Sequence, residues 1–569
     1  MRPVPILLSR LLRGASLAAL VLCAPASLGA ATLSGAYLAA MQADFRNDFA
    51  AAGDYTTRAL MLEPENVGLL QNAVVARTVT GQVAEAALHA ERLAGLMPEN
   101  QLAVLVRVAQ ALAEGDYDRA DTLLIAAGPA MNPLLGGLLA GWIEVGREDF
   151  AAAQARFDAL DGNDTLRVYG QYHKALALAL AGDFVTAADI LGGGGDGPLH
   201  VNLGSVVAHA QILAQIDREE EALALLDDTL SGGLPSEVLT ELRDRIAAGE
   251  EVPFTVIAEA RDGAAEAYYT LADALNANES ERIALVHARL AVHIDADAVE
   301  ARLVAAAIFE RQGQYALAAE VLADLPPESP WFVSTEIRRA NTQRAAGDGE
   351  AGIATLTALA ESHGDRIEVQ SALGDALRVE ERYLEAAEAY TRAVELIDTP
   401  QLPHWVLYYT RAIAWERGGE WERAEADFRK ALELEPDQPL VLNYLGYSLV
   451  EQRRDLDEAL DMIERASAAQ PDDGYITDSL GWVYYRLGRF EDALEPMMRA
   501  VELVPDDPIL NDHLGDVLWK LGRAREAEFQ WRRALSFGPA DELDMDRVRR
   551  KLEVGLDAVL DEEAAGTDG

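Results

Sequence analysis

The stretch GYITDSLGWVYYRLGRFEDALEPMMRAVELVPDD, residues 474–507, is one copy of a pattern that returns three times between Pro439 and Leu535. Gly446, Gly481 and Gly515 each follow a leucine, and each is separated from the next by about 34 residues. Two alanines and a proline follow each glycine at nearly constant spacing: Ala459, Ala493 and Ala527, then Ala466, Ala500 and Ala534, then Pro471, Pro505 and Pro539. The chain is therefore built from a repeat of about 34 residues.

The residue types at these positions predict two antiparallel helices in each repeat. Small residues at the glycine and first alanine positions let the helices approach closely, and bulky residues such as Tyr484, Met497 and Trp531 fill the space around them. The proline ends the second helix and begins the turn into the next repeat. One such pair cannot bury its apolar faces alone, so we expect stacked pairs to bury them for each other.

This pattern resembles the tetratricopeptide (TPR) repeat, in which W-x2-L-G-x2-Y is followed by A-x3-F and P. The resemblance implies an all-α TPR solenoid, a superhelix with a concave side. The small residue of the second helix recurs at intervals of about 34 residues from Ala52 to Ala222 and from Ala284 to Ala386, and it continues through Ala424 to Ala527. We therefore predict about fourteen helix hairpins, six before an insertion and eight after it.

The insertion separates Ala222 from Ala284, and the interval between these two alanines is nearly twice the repeat period. Breaks at Ser231 to Pro235 and at Gly249 to Pro253 flank an expected extra helix, 236–248. A hinge and a rigid brace both fit this pattern. We predict an N-terminal array at 32–230, the insertion at 231–262 and a C-terminal array at 263–540. We also predict a final segment at 541–569, which consists of a capping helix over 541–560 and an acidic tail.

The first residues of the chain have the pattern of an export signal. Arg2, Arg10 and Arg13 precede an apolar run that ends at Cys23, and Ala24-Pro25-Ala26 is an A-x-A cleavage site. We predict a signal peptide over 1–26, with cleavage as late as 31 also compatible, and a periplasmic protein. Cys23 is the only cysteine, and Leu20 to Cys23 resembles a lipobox in which Leu22 is too large. Lipidation there would make an outer-membrane lipoprotein, so a membrane contact is expected only in that case.

The composition argues against several classes of partner and against catalysis. The net charge of −47, from 95 acidic and 48 basic residues, repels nucleic acid and anionic lipid. It either keeps a large helical surface solvated or favours basic protein partners. Gly192, Gly194 and Gly197 match G-x-G-x-x-G but follow a helix, and His287 and His293 lie on opposing helix faces. We predict no enzyme activity, no metal and no cofactor.

The family resemblance assigns positions 2, 5, 9, 12 and 13 of each first helix to the concave groove. In the last repeats it predicts a partner-binding groove of aromatic and short polar side chains. Its residues are Tyr409, Asn443, Tyr447, Asp478, Trp482, Tyr485, Arg486, Asp512, Asp516 and Trp519. A chaperone-type carboxylate clamp would need Lys at position 5 and Asn at position 9, which these repeats lack. The alternative is that half of the aromatic side chains pack between repeats.

Residues 405–540 also resemble long exported bacterial TPR proteins, among them adaptor lipoproteins that deliver substrates to a periplasmic C-terminal processing protease. The resemblance implies a scaffold or adaptor whose partners are proteins, such as a periplasmic protease or a cell-wall hydrolase. Two alternatives stay open. One is an assembly factor for an envelope machine such as a pilus or secretion system, and the other is an enzyme with a site in residues 130–260.

Overall fold

The computed structural model describes residues 32–193, 199–232, 236–277, 280–538 and 543–567. The predicted signal peptide with Cys23, the glycines Gly194 and Gly197, and Pro539 lie outside the described residues. Within the described ranges every regular element is a helix. No helix among these residues is both long and apolar enough to cross a bilayer. The chain divides into two compact units, up to Gly352 and from Ile353 onward.

The first unit contains eighteen complete helices within the described residues and the start of the next helix. They are α1 Leu33–Phe45, α2 Phe49–Leu60, α3 Val67–Val79, α4 Val83–Leu96, α5 Gln101–Ala113, α6 Tyr117–Ala127, α7 Pro133–Gly146, α8 Phe150–Asp158, α9 Asp164–Leu180, α10 Phe184–Leu191, α11 Leu203–Ala214, α12 Glu219–Ser231, α13 Glu237–Ala247, α14 Ala260–Ala277, α15 Glu281–Ile294, α16 Val299–Arg311, α17 Tyr315–Leu322 and α18 Phe332–Ala345. Short 3-10 turns follow α6 at Gly128–Ala130 and α8 at Ala159–Gly162.

The unit boundary falls inside α19, and the helices that follow belong to the second unit. They are α19 Gly349–Ser362, α20 Ile367–Val379, α21 Tyr383–Glu395, α22 Trp405–Arg417, α23 Trp421–Leu434, α24 Pro439–Glu451, α25 Leu456–Ala469, α26 Gly474–Arg486, α27 Phe490–Leu503, α28 Pro508–Lys520, α29 Ala524–Ser536, α30 Met545–Val554 and α31 Leu556–Thr567. A 3-10 turn, Leu402–His404, precedes α22.

The described helices form fourteen consecutive pairs, six before α13 and eight after it, which confirms the predicted all-α repeat fold. A helix lies at Glu237–Ala247, where the sequence predicted one at 236–248, and it buries Leu239 and Ile246. The segment 231–262 lies inside the first unit. In place of one capping helix the structure has α30 and α31, because the chain turns at Gly555 with φ +86°, a conformation that favours glycine.

Each pair is held close by the small residues that the repeat pattern singles out. A Cβ at Gly481 would lie 2.6 Å from Cγ of Met497, and one at Gly446 would lie 2.8 Å from Cγ1 of Ile463. Ala493 and Ala459, on the partner helices, are fully buried. The first helix of each pair therefore packs directly on the second, and no larger side chain fits between them.

In the first unit the hairpin α14–α15 packs on the first helices of earlier pairs. It contacts α3, α5, α7 and α9, one helix from each of four consecutive pairs. The Tyr268 hydroxyl donates to the Leu105 carbonyl at 2.9 Å, and an added Cβ at Gly263 would collide with the Trp142 ring. The face that these first helices present is thus filled by the chain itself.

Replacing Ala493 with Leu should overpack the pair α26–α27 and lower the free energy of unfolding by about 1–3 kcal/mol. The neighbouring pairs should lose stability as well, because a repeat array is stabilised by contacts between adjacent units. The measurement is the urea midpoint, with Ala468→Leu, at an exposed position of α25, as the control. An unchanged midpoint for Ala493→Leu would contradict this packing.

Candidate functional site

The predicted groove residues lie on the first helices of four consecutive pairs in the second unit. Their helices are α22 for Tyr409, α24 for Asn443 and Tyr447, α26 for Asp478, Trp482, Tyr485 and Arg486, and α28 for Asp512, Asp516 and Trp519. The three aspartates are buried, with 5%, 3% and 1% of their surface exposed in chain order. The other seven are half-buried. Four first helices therefore present one set of polar and aromatic groups.

Trp482 is the centre of this set because three groups fix its ring. It stacks on His513 with ring centroids 3.9 Å apart and on Tyr485 with centroids 4.8 Å apart. Its Nε1 donates to Oε1 of Glu451 at 2.6 Å, and Arg486 forms an ion pair with the same carboxylate at 3.3 Å. The ring is thus held in one orientation while it stays partly exposed.

The imidazole of His513 connects this stack to the preceding repeat. Its Nδ1 lies 2.9 Å from Oδ2 of Asp478. Burial, the largest single influence, lowers the pKa of His513, but the carboxylates of Asp478, Asp512 and Asp516 together raise that pKa above its ordinary value, with Asp478 contributing most. An imidazolium stacked on Trp482 also gains a cation–π attraction. Protonated His513 therefore stabilises the ring stack.

Three acceptor oxygens at the same position of consecutive repeats have no hydrogen-bond donor among the described residues. They are Oδ1 of Asn443, Oδ1 of Asp478 and Oδ1 of Asp512, each at the third position before the repeat glycine. All three atoms are buried. A buried acceptor without a donor is unusual and costs about 1–3 kcal/mol.

The last repeat of the predicted groove is covered by the chain's own C-terminal helices. Nζ of Lys551 on α30 donates to Oδ2 of Asp512 and to Oδ1 of Asp516, both at 2.7 Å. Nε1 of Trp519 donates to Asp557 on α31 at 3.0 Å. Burial raises the pKa of Asp516, and the Lys551 ammonium opposes that rise. Asp512, Asp516 and Trp519 thus have intramolecular partners here, which the sequence analysis did not predict.

Tyr409 packs between repeats. This is the alternative to a groove position that the sequence analysis gave for half of the aromatic side chains. Its ring is 6.1 Å from both Phe428 and Tyr444, the latter edge-on at 87°. The sequence analysis missed His513 and Lys551 because neither stands at a groove position of the family, and it left out Glu451, which stands at the same groove position as Arg486 in the preceding repeat. The sequence did contain one indication of Lys551. It is a lysine in the segment predicted to cap the array, and Asp512 and Asp516 share one face of the last first helix.

Comparison with known proteins identifies the repeats. The tetratricopeptide repeat family matches residues 337–403, 405–438 and 445–508. A TPR repeat-containing protein of Pseudomonas aeruginosa is 38% identical over 86 residues, which are 15% of this chain and 15% of that protein. The matched part of the chain therefore consists of tetratricopeptide repeats, a fold that serves as a scaffold for protein–protein interaction. The chain covers only 15% of the length of that relative, so the match concerns the repeats alone.

Solved structures share the fold at low identity. YrrB, described as a TPR protein with an unusual peptide-binding site, is 20% identical, with 31% of this chain and 88% of that chain covered and a TM-score of 0.27. The APC/C hetero-tetramer Cut9–Hcn1 is 15% identical, with 93% of this chain and 97% of that chain covered and a TM-score of 0.37. At these values the similarity concerns helical repeats alone.

Replacing Asp478 with Asn should lower the pKa of His513, because the carboxylate that contributes most to favouring the imidazolium is gone. The wild-type stability that depends on the raised pKa of His513 is present below pH 6.5 and is lost as the pH rises through the folded pKa. The thermal midpoints of wild type and Asp478→Asn should therefore differ most below pH 6.5. NMR titration of the His513 ring measures the pKa.

Glu491→Gln, at an exposed position of the neighbouring helix α27, is the matched charge control for Asp478→Asn. It should leave the His513 titration unchanged, since the Glu491 carboxylate is not among the groups that shift that pKa. An equal fall in the pKa of His513 for both variants would mean that net charge, and not the Asp478 contact, controls the imidazole.

Proposed function

We propose that this chain is a scaffold that holds a segment of a partner protein on one surface of its C-terminal repeats. We call it the acceptor surface, and it consists of Asn443, Tyr447, Asp478, Trp482, Tyr485 and Arg486. The observation that carries the proposal is the repeated acceptor oxygen without a donor among the described residues, beside a ring stack that stays partly exposed. Asp512 presents a third such oxygen beneath the C-terminal helices.

A polypeptide segment fits this chemistry better than a small ligand. A chain lying across successive repeats offers N–H donors at intervals, and each buried oxygen that gains a donor recovers a desolvation cost. The rings of Trp482 and Tyr485 supply a flat apolar surface, and such aromatic side chains are frequent anchors in protein interfaces. Because Trp482 is already fixed by His513 and Glu451, little side-chain entropy is lost on binding.

The charges favour a basic partner segment. The chain carries a net charge of −47, which steers positively charged partners toward it. In the last repeat, Asp512 and Asp516 already bind an ammonium group, that of Lys551. Asp478 occupies the same repeat position as Asp512, so we propose that it accepts a lysine or a backbone N–H of the partner.

The sharpest version of the proposal is an exported adaptor that delivers substrates to a periplasmic C-terminal processing protease or a cell-wall hydrolase. The signal-like first residues and the resemblance of residues 405–540 to such adaptors support it. An assembly factor for an envelope machine is the alternative role for the same surface. Co-purification from envelope extract separates the two, since a stoichiometric protease or hydrolase supports the adaptor and pilus or secretion subunits support assembly.

Export predicts a processed chain, because the signal peptidase cleaves after the small residues of its site. Mass spectrometry of the purified protein should find a mature N-terminus at Ser27, Ala31 or Thr32. An acylated Cys23 would identify a lipoprotein anchored in the membrane. A chain that still begins at Met1 would contradict export.

Replacing Trp482 or Tyr485 with Ala should weaken binding of the co-purified partner by about 2 kcal/mol or more, as expected for aromatic interface anchors. Replacing Asp478 with Asn should add a salt-sensitive loss if the partner segment is basic. Affinity and thermal midpoint are measured on the same variants, with Phe529→Ala on α29 as the control because that ring is 58% exposed.

The proposal requires that affinity falls more than stability accounts for. If the rings belonged to the core instead, each truncation would cost about 3–5 kcal/mol of folding free energy and binding would fall only with unfolding. A Phe529→Ala variant that loses as much affinity as Trp482→Ala would place the partner on another face of the second unit.

A further inference from the structure

The first unit contains a cavity that the acceptor surface does not involve. Its volume is about 360 Å³, and α11, α14, α16 and the loop before α18 surround it. Val207, Val238 and Ile257 form apolar parts of its wall, and Trp331 adds an aromatic ring. Asp297 and Glu328, which also line it, are exposed, so the cavity is open to solvent on their side. It is of a size that holds a small organic molecule or a long side chain.

The wall carries carboxylates that no cation of the described residues neutralises. Asp295, Glu266 and Glu300 all line the cavity, and none of them forms an ion pair with a Lys or Arg in the described ranges. Oε1 of Glu266 accepts from the Tyr172 hydroxyl at 3.0 Å and from Nδ2 of Asn202 at 3.3 Å. These donors are neutral, so the site has an excess of negative charge in apolar surroundings, which is unfavourable without a cation.

The pKa values of the three carboxyl groups respond to this arrangement. Burial, assisted by the charge of Glu300, raises the pKa of Glu266 to about 8. Burial also raises the pKa of Asp295 to about 6 and raises that of Glu300, where the charge of Asp295 adds to it. A cation in the cavity would reverse these shifts by favouring the ionised forms.

A second, independent feature also indicates a ligand. Tyr269 lines the cavity with only 7% of its surface exposed, and its hydroxyl has no hydrogen-bond partner among the described residues. The hydroxyl oxygen is not closed off from the cavity, so a ligand there can reach it. The hydroxyl therefore offers a ligand one hydrogen bond, and its ring lies where a cation gains from the aromatic face.

We propose that this cavity binds an aliphatic molecule or side chain that ends in an ammonium group. The charged end is held by Glu266, Glu300 and the Tyr269 hydroxyl, and the methylene chain contacts Val207, Val238 and Trp331. A free alkylamine and a lysine side chain share this chemistry. The number of carboxylates favours a cation, and the apolar wall favours one that carries methylene groups over a hydrated metal ion.

The charged and titratable groups around Glu266 determine how binding depends on pH. Besides those named, Tyr172, Asp262, Asp297 and Glu328 line the cavity. The cations nearby are engaged elsewhere, since Arg261 pairs with Glu259 and Arg302 donates to the carbonyls of Ala296, Val321 and Ala323. An ammonium group stays protonated to about pH 10. Affinity should therefore rise between pH 6 and about pH 8, and binding in that range should release protons.

Isothermal titration calorimetry of the full chain at pH 8 tests the site with two probes. 1,5-Diaminopentane represents a free alkylamine, and N-acetyl-lysine methylamide represents a lysine side chain. Glu300→Gln should lower the affinity for the probe that binds by about 30-fold or more, and Tyr269→Phe should lower it by about fivefold. Glu99→Gln removes one charge at an exposed position of the same unit and should leave the affinity unchanged.

Binding of the diamine alone would assign the cavity to small amines, and equal binding of the lysine probe would assign it to a protein side chain. Absence of binding by both probes overturns the proposal. So does equal affinity for wild type and Glu300→Gln, or an equal signal from the neutral control 1-pentanol. Tyr269→Phe removes only a hydroxyl, so it keeps the test decisive if Glu300→Gln misfolds.

Replacing Glu266 with Gln checks the electrostatic basis independently of any ligand. The stability linked to the raised pKa of Glu266 is fully present below pH 4.5 and is lost as the pH rises to about 8. Glu266→Gln should therefore raise the thermal midpoint at pH 8 and leave it nearly unchanged at pH 4.5. A lower midpoint at pH 8 would mean that Glu266 is not the strained group described here.

Discussion

The close approach of two helices at a residue with no room for a larger side chain is the constraint on which the rest of this fold depends. A methyl group at Gly481 would already meet Met497, and Ala493 is completely buried on the facing helix. This contact fixes the spacing within a pair. Because each pair then exposes its remaining apolar surface to the next, the repeat and its regular period follow from it. In the last repeats the same geometry places Asp478, at position 5 of its first helix, against His513 of the next repeat.

Local features of the sequence were enough to predict the helix pairs and their number. The recurring small residue indicated the phase even in repeats where the rest of the motif has faded, such as the one around Gln154. The contacts of the hairpin α14–α15 with earlier helices could not be predicted in the same way, since they join residues that are far apart in the sequence. Tyr268 and Leu105 are 163 residues apart, and nothing in either repeat indicates that they meet. The cavity in the first unit has the same origin, because Tyr172 and Glu266 come together only across that distant contact.

The candidate groove shows which part of a site a repeat pattern predicts. Its positions led to Asp478, Trp482 and Tyr485, and the structure brings these three together. His513, which contacts the first two, stands at a position to which the family pattern assigns no role. Lys551, which binds Asp512 and Asp516, follows the last repeat, so the pattern could indicate neither residue. Burial of the aspartates follows from those partners. The acceptor oxygens left without donors among the described residues are the feature that joins the fold to the proposed binding role.

Site-specific photo-crosslinking tests that role most directly. Tyr447 lies half-buried on the acceptor surface, and Phe529 is exposed on a second helix of the same unit. Each is replaced with p-benzoylphenylalanine in the full-length chain and irradiated in cells. The account predicts one discrete protein adduct at position 447, lost when Trp482 is also replaced with Ala, and none at position 529. An adduct that forms at position 529 and not at 447 would contradict it.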